Sequence, residues 1–128
     1  MSANTSPVFA LTPVNPPVTI VNADSTNKKT VMTAGENGTR LDSLHICSDD
    51  TAPVNLDFYA TVSGVDYFIG RVQIPAGAGY GLPWQEGLAT LNDSLSMVLA
   101  AGVVLKVATN AAVTAAKTVT IVAFGGNF

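Results

Sequence analysis

One stretch, VNLDFYATVSGVDYFIGRVQI at residues 54–74, limits the fold of this chain more than any other. Apolar residues occupy every second position from Val54 to Val62, which is the period-2 pattern of a strand with one buried face. Ser63-Gly64 then forms a two-residue loop, and its Gly tolerates the positive φ of a tight primed turn. Because the return strand begins at Val65, the stretch predicts a β-hairpin in an all-β protein.

The register of this hairpin predicts an irregularity in its second strand. A two-residue loop places Val62 opposite Val65, Ala60 opposite Tyr67, and Phe58 opposite Ile69. Strict alternation would then carry Arg71 onto the apolar face, but the apolar residues shift instead to Val72 and Ile74. One extra residue at Gly70-Arg71 accounts for the shift, pairing Leu56 with Val72 and Val54 with Ile74. We therefore expect a β-bulge at Gly70.

Six further segments also have strand character, and helical periodicity is nearly absent. They are Val18–Asn22, Lys29–Ala34, Thr39–Cys47, Leu95–Leu99, Val103–Thr109 and Thr118–Phe124. About eight short strands predict a single β-sandwich of the jelly-roll or Greek-key type. An immunoglobulin-like sandwich is the alternative, although the Cys…Trp…Cys pattern is missing. Gln85–Asn92 is expected to form a short helical turn.

The segment Thr39–Cys47 carries apolar and polar residues on both faces. Leu44 and Ile46 alternate onto the same face as Arg40 and Asp42, whereas Leu41, His45 and Cys47 share the other. Mixed faces are typical of a strand near a sheet edge or at a subunit contact, and we expect one of these positions.

Residues 1–17 contain four of the seven prolines. Proline fixes φ and removes a backbone donor, so this segment is predicted to be an extended N-terminal arm, with residues 18–128 as the β-sandwich domain. Its apolar residues suggest that the arm lies along this subunit or across a neighbour, a disordered leader being the alternative. These candidate contact residues are Val8, Phe9, Leu11 and Val14.

A long Gly- and Pro-containing loop follows Ile74, and it carries the only tryptophan, Trp84. Tyr80 and Leu82 lie close to it in the sequence. Large aromatic side chains on a non-strand segment are favoured at protein interfaces. The loop is therefore a candidate contact element, the alternative being that Trp84 covers the core of its own subunit.

The composition favours a protein covered by other protein. Hydrophobic residues make up 48% of the chain and charged residues only 12%, about half the usual charged share. Much of the surface is then expected to be buried in contacts. The alternative is a small β domain whose surface consists of Ser, Thr and Asn. The net charge of −3 and the absence of a basic cluster argue against direct nucleic-acid binding.

The sequence predicts neither a membrane protein nor a secreted one. The longest apolar runs are too short to span a bilayer. The first residues lack the basic region and the sustained apolar core of a signal peptide. The single cysteine, Cys47, rules out an intramolecular disulfide and is compatible with a reducing cytoplasm.

The residues give no indication of catalysis, so we expect no enzyme and no cofactor. His45 and Cys47 share a strand face, but two ligands do not make a metal site, and neighbours on one strand align poorly as a nucleophilic dyad. Neither a G-x-S-x-G nor a Walker A motif is present. Asp49-Asp50 lacks the spaced oxygens of a calcium loop, and a solvated turn is the expected structure there.

Three segments resemble small virion proteins of tailed bacteriophages, some of which decorate or cement the head. They are Val72–Gly79 (VQIPAGAG), Leu99–Val107 (LAAGVVLKV) and the C-terminal stretch Ala115–Phe128 (AAKTVTIVAFGGNF). The resemblance covers roughly residues 30–128, carries no active-site residues, and does not extend to the N-terminal arm.

This resemblance implies a capsid decoration protein on the outer surface of the virion, assembled in the host cytoplasm. Its partners would be the major capsid protein and further copies of itself, with a trimer preferred over a dimer because capsid lattices offer local threefold axes. A head–tail or tail structural protein of the virion is one alternative. A carbohydrate-binding attachment module is the other. Sugar binders usually display several planar aromatic side chains, whereas the exposed candidates here are only Tyr59, Tyr80 and Trp84.

Overall fold

The computed structural model describes residues 12–86 and 97–128. Strands make up most of this part of the chain, and Asn22–Asp24 forms a 3-10 helix. The strands are β1 (Thr12–Val14), β2 (Pro17–Val21), β3 (Lys29–Thr33), β4 (Thr39–Ser48), β5 (Val54–Val62), β6 (Val65–Ile74), β7 (Gln85–Glu86), β8 (Met97–Leu99), β9 (Val104–Thr109) and β10 (Thr118–Asn127).

The strands form two antiparallel sheets, which confirms the predicted all-β architecture. In the six-stranded sheet, β10 and β4 lie at the centre. One edge of β10 pairs with β4, and β1 and β2 pair with successive parts of its other edge. β7 and β8 pair with the side of β4 that is turned away from β10. The four-stranded sheet has the order β3-β9-β5-β6. The jelly-roll connectivity stays a prediction.

The core consists of the inward-facing side chains of both sheets, which form one cluster. Ile46 and Ile121 are cross-strand neighbours in the six-stranded sheet and are fully buried, as are Leu56 and Phe58 in the four-stranded sheet. Each such side chain contributes roughly 1.5–3 kcal/mol relative to an exposed one. Burial of alternate residues on both sheets is what makes the molecule a sandwich.

The opening hairpin has the predicted turn and nearly the predicted register. Ser63 (φ 51°) and Gly64 (φ 79°) both have positive φ, as a type I′ turn requires. The pairs Val62–Val65, Ala60–Tyr67, Leu56–Val72 and Val54–Ile74 are as predicted. The bulge lies one residue earlier than expected, because Phe58 pairs with Gly70 and Ile69 is the extra residue. The predicted Phe58–Ile69 pair is therefore wrong.

β4 lies near a sheet edge, as expected, but is not itself the edge strand: it pairs with β10 on one side, and the short edge strands β7 and β8 pair with parts of its other side. Its mixed faces result from a register shift against β10, where Phe124 pairs with Ser43 but Gly125 pairs with Leu41. The extra residue, Asp42, returns Leu41 to the core face.

The described part of the proline-rich arm belongs to the six-stranded sheet. Thr12 pairs with Asn127 and Val14 with Gly125, after which β2 continues along the same edge of β10. An edge position suits prolines, because their missing N–H then interrupts no ladder. Val14 is half-buried and packs against the core. Val8, Phe9 and Leu11 lie outside the described residues.

Two other local predictions need correction. Gln85–Glu86 is a short strand, so it does not begin a helical turn, and the remainder of that predicted turn lies outside the described residues. Asp50 is not part of a solvated turn: it is buried and accepts hydrogen bonds from the backbone N–H (3.0 Å) and the hydroxyl (2.7 Å) of Thr114. Asp49 accepts a further one from the Thr118 N–H at 2.7 Å.

Candidate functional site

An exposed aromatic cluster lies on the outer face of the six-stranded sheet. The ring of Trp84 stacks on His45 with centroids 3.7 Å apart and an interplanar angle of 12°. Phe124 meets the same imidazole edge-on, at 4.7 Å and 60°. With Tyr80 and Leu82 from the preceding loop, these residues form what we call the aromatic patch. All of them except the half-buried His45 are exposed, Trp84 to 45% and Tyr80 to 61%.

The strand register brings the three rings together. His45 lies opposite Val122 on β10, and both alternate with fully buried neighbours, so they face outward. Phe124, two residues further along β10, shares this face. On the other side of β4, His45 pairs with Glu86, and Trp84 precedes that residue by two positions. Diagonal cross-strand neighbours of this kind are within reach of large side chains.

The loop that carries Tyr80 and Leu82 is folded back onto β4. Ala78 is fully buried, and its carbonyl accepts a hydrogen bond from the Ser48 N–H at 2.9 Å. The Gly79 N–H donates to the Leu82 carbonyl at 2.7 Å, closing a compact turn. Gly79 has φ 82°, and a Cβ there would lie 2.6 Å from the Sγ of Cys47. Only glycine fits, so the loop is seated on the sheet.

The predicted loop residues Tyr80, Leu82 and Trp84 are all exposed. Trp84 stacks on the outside of the sheet, so it does not cover the core. The structure adds two residues that sequence reasoning missed: His45, on which Trp84 stacks, and Phe124, which meets His45 edge-on. The alternation of β10 could have indicated that Phe124 faces outward, because it follows the inward-facing Ala123. No such pattern indicated the position of His45, because its strand contains a bulge.

A second exposed apolar surface lies at the turn end of the β5–β6 hairpin. We call it the hairpin tip, and it consists of Val62, Val65, Tyr67 and Phe68, all exposed. Phe68 packs edge-on against Tyr59, with ring centroids 5.8 Å apart. Because the tip belongs to the four-stranded sheet and the aromatic patch to the other, the molecule presents two separate apolar surfaces.

The charged groups beside the hairpin tip are paired with one another. Asp66 Oδ2 lies 2.8 Å from the Lys28 Nζ, and its Oδ1 lies 3.4 Å from the Lys106 Nζ and accepts a hydrogen bond from the Thr61 hydroxyl. The Lys28 ammonium, the Thr61 hydroxyl and Lys106 together hold the pKa of the Asp66 carboxyl well below its usual range, against the opposing effect of its partial burial. The Lys28 ammonium also lies 4.3 Å from the centroid of the Tyr59 ring.

An open groove of about 580 Å³ separates residues 13–17 from residues 30–33 of β3. The Val31 and Met32 side chains that line it are nearly fully buried, and Thr30 and Thr33 are exposed. A register shift between Thr30 and Met32 interrupts β3 there. A bulge of this kind makes an edge strand a poor template for a further strand.

Within residues 12–86 and 97–128, no three His, Cys, Asp or Glu side chains are grouped closely enough to hold a metal ion. In this same part of the chain, no helix is long and apolar enough to cross a membrane. The surfaces described above suit contacts with other molecules.

Comparison of the sequence with protein-family models and with curated proteins gives no match.

Proposed function

We propose that this chain is a structural virion protein that decorates and cements the capsid of a tailed bacteriophage, with the aromatic patch as its capsid-binding surface. The observation that carries the proposal is the exposed Trp84–His45–Phe124 cluster on a rigid sheet. Interface hot spots are enriched in aromatic residues held in fixed positions. The low charge of the chain and its resemblance to phage virion proteins support the same function.

The residues of the aromatic patch are already ordered before binding, so binding costs little conformational entropy. Trp84 is held against His45, and the loop that carries Tyr80 is fixed by hydrogen bonds and by the buried Ala78. Side chains that are already ordered lose less freedom on binding. Repetition over a capsid lattice then adds avidity to each small contact. The bound protein stabilises the shell because it binds the assembled capsid in preference to dissociated subunits.

The N-terminal arm is proposed as a second contact element, through Val8, Phe9 and Leu11. Its test requires a precise deletion, because residues 12–14 belong to the sheet and pair with β10. Removal of residues 2–11 is expected to weaken capsid binding while the melting temperature of the isolated protein stays unchanged. An unchanged affinity would remove the arm from the proposal.

The experiment uses heads assembled from the major capsid protein encoded in the same genome as this chain. Purified protein is expected to bind them in a fixed ratio and to raise their melting temperature. Trp84→Ala is expected to weaken binding by about tenfold or more. Val98→Ser serves as the control, because Val98 is an exposed apolar residue of β8 in the same sheet. Absence of binding to the heads, or equal losses in both variants, contradicts the proposal.

The stack itself can be tested in the isolated protein. His45→Ala removes the ring beneath Trp84, so the indole becomes more hydrated and its fluorescence emission shifts to the red. Because the chain has a single tryptophan, the signal reports this position alone. The same variant is expected to bind heads less tightly while its far-UV circular dichroism stays that of the wild type.

A carbohydrate-binding attachment module is the second candidate. The observation that favours it is the same flat, exposed indole ring, since sugars stack on planar aromatic side chains. A glycan array in which wild-type protein gives strong signals that Trp84→Ala abolishes would favour this function over capsid binding. A head–tail or tail position in the virion is distinguished by imaging where the subunit lies.

A further inference from the structure

The groove beside β1 is uncharged and lies where the edges of the two sheets meet. One wall is residues 13–17, which connect β1 to β2 along the edge of β10. The other wall is residues 30–33 of β3, at the end of the strand order β3-β9-β5-β6. None of the lining residues carries a charge. Because a charge buried here would have no partner, the groove suits an uncharged occupant.

Neither wall offers a regular backbone edge to an incoming strand. Pro13, Pro16 and Pro17 have no N–H to donate. On the other wall, the register of β3 shifts between Thr30 and Met32. Strand pairing is therefore poor on both sides, and an occupant has to be held by its side chains. The rigid proline rings provide an apolar surface for large apolar side chains.

The N-terminal segment of the chain has the required chemistry and starts at the groove. The described chain begins at Thr12, directly before the groove residue Pro13. Residues 1–11 carry no charged side chain, and residues 8–11 read VFAL. The other segment outside the description, residues 87–96, is attached to β7 and β8. These two strands lie beyond β4 and β10 from β2, about three strand spacings or 14 Å away.

The local sequence directs this segment toward another copy of the chain. Thr12 pairs with Asn127 in β1, and a residue before proline favours extended backbone. Residues 8–12 contain none of Gly, Pro, Asn, Asp or Ser, which make tight reversals. A return to the groove of the same copy would need such a reversal, because that groove follows Thr12 along the chain. Four extended residues reach about 13 Å beyond Thr12.

We propose that residues 8–11 of one copy bind in the groove of a neighbouring copy, with Phe9 against the proline wall. Each copy then offers one segment and one groove, so the exchange closes a dimer or a ring. The contact is one between copies of this chain, so it stands whether or not the aromatic patch binds a capsid. On a capsid it would link adjacent copies and strengthen their attachment by avidity.

The area of an exchanged pair is sufficient for an interface. Burial of Val8, Phe9 and Leu11 removes on the order of 400 Å² from one segment, given the 150–250 Å² that an aromatic residue alone buries. The groove loses a similar area, so two exchanged segments bury about 1,600 Å², the size of a standard interface. Ordering the segments offsets much of this gain. A dissociation constant on the order of 0.1 mM is expected, well above the concentrations of a melting experiment.

The first test is sedimentation equilibrium on the full chain, from about 10 µM to 1 mM, a range that brackets the expected constant. Self-association is expected. Phe9→Ser should weaken it about tenfold, the effect of losing an aromatic anchor. Thr33→Arg should weaken it by a similar factor, because Thr33 is an exposed groove residue and the guanidinium would have to lose water there.

A mixture of these two variants tests whether the segment enters the groove of another copy. Phe9→Ser keeps an intact groove, and Thr33→Arg keeps an intact segment. The mixture is therefore expected to associate more tightly than either variant alone. With ¹⁵N-labelled Phe9→Ser and unlabelled Thr33→Arg, amide shift changes are expected at residues 14–15 and 30–33 of the labelled protein. A mixture that associates no better than the separate variants would overturn the exchange.

Thr19→Arg is the matched control, since Thr19 is an exposed threonine of β2 outside the groove lining. It should leave self-association unchanged. Trp84→Ala should also leave it unchanged while weakening head binding, so failure of this contact is separable from failure of capsid binding. A protein that stays monomeric at about 1 mM, tenfold above the expected constant, would overturn the proposal. Equal losses in Thr33→Arg and Thr19→Arg would do the same.

Discussion

A single carboxylate, Asp50, joins two loops that are 64 residues apart in the sequence. The residue is only 4% exposed. Its carboxylate oxygens accept hydrogen bonds from the Thr114 N–H and hydroxyl and from the Ala52 N–H. Burial alone would raise the pKa of Asp50, but the hydrogen bonds from Thr114, Ala52 and Thr51 outweigh it and the pKa is lowered. The charged form is therefore the one that the fold stabilises.

Asp50→Ala is expected to lower the free energy of unfolding by about 1–3 kcal/mol, because the Thr114 N–H loses its acceptor in a site with little access to water. The measurement is urea denaturation followed by circular dichroism. Asp42→Ala is the control: Asp42 forms an ion pair with Arg40 at 2.9 Å, but both side chains are about half exposed. Its effect should stay within about 0.5 kcal/mol. Equal losses in the two variants would contradict the assigned role of Asp50.

The contrast between Trp84 and His45 shows what residue type alone can indicate. An aromatic residue outside the strands marks a contact element, and Trp84 was predicted as one from its type and position. The prediction that Tyr80, Leu82 and Trp84 contact a partner stays untested. The role of His45 depends on β7 pairing with β4, across about forty residues of chain. No local pattern around His45 encodes that pairing, so the stack could not be predicted.

At the scale of the strand, two bulges had the same signature in the sequence. In the hairpin, apolar residues changed parity between Ile69 and Val72, and a bulge was predicted within one residue of its actual place. In β4, Leu41 and Leu44 also have opposite parity, but its mixed faces indicated only a position near a sheet edge or at a subunit contact, and no bulge was predicted. A bulge at Asp42 reconciles them. A change of apolar parity within one strand is thus better interpreted as a bulge than as a change of environment.

The bulge between β4 and β10 depends on a glycine that nothing larger can replace. A Cβ at Gly125 would lie 2.1 Å from the carbonyl oxygen of Arg40. This contact is with backbone, so relief requires the two central strands to separate. Gly125→Ala is expected to destabilise the protein by roughly 3 kcal/mol or more, at or above the upper range for an overpacked site.

Gly64→Ala is the matched variant, measured by the same thermal and chemical denaturation. Gly64 has φ 79° but open space around its Cβ position, so the substitution strains the turn without a collision. It should cost roughly 1 kcal/mol. If Gly125→Ala proved no more damaging than Gly64→Ala, the close approach of β10 and β4 at this bulge would be refuted.

For the whole molecule, alternation and turn residues predicted which segments are strands, but not which strands are neighbours. All eight predicted strands that the structure describes are present, and the hairpin partners β5 and β6 were paired correctly. The pairs that close the sandwich join distant segments, such as Val21 with Thr118 and Lys29 with Val107. A β-strand has one apolar face whatever its neighbour is, so one sequence contains no local signal for such a choice.

The same long-range structure determines how the fold responds to acid. Three carboxylates have a lowered pKa, and two of them, Asp50 and Asp66, link segments that are distant in the sequence. Asp24 accepts a hydrogen bond from the Val21 N–H and pairs with Lys29, Asp66 pairs with Lys28, and Asp50 binds Thr114. A carboxyl whose pKa is lower in the folded than in the unfolded state stabilises the fold fully above the unfolded value, about 3.9 for Asp. That contribution is lost as the pH falls through the folded value.

The free energy of unfolding is therefore expected to change little between about pH 5 and 8 through these groups, and to decrease steadily below about pH 4. Asp66→Asn removes one of the three carboxylates and one of the protons taken up on acid unfolding. Its stability should be lower than that of the wild type at neutral pH, and it should decrease less steeply below pH 4. Urea denaturation at a series of pH values measures both slopes. If the two acid limbs were parallel, the Asp66 pairing with Lys28 and Lys106 would not be a source of the acid sensitivity.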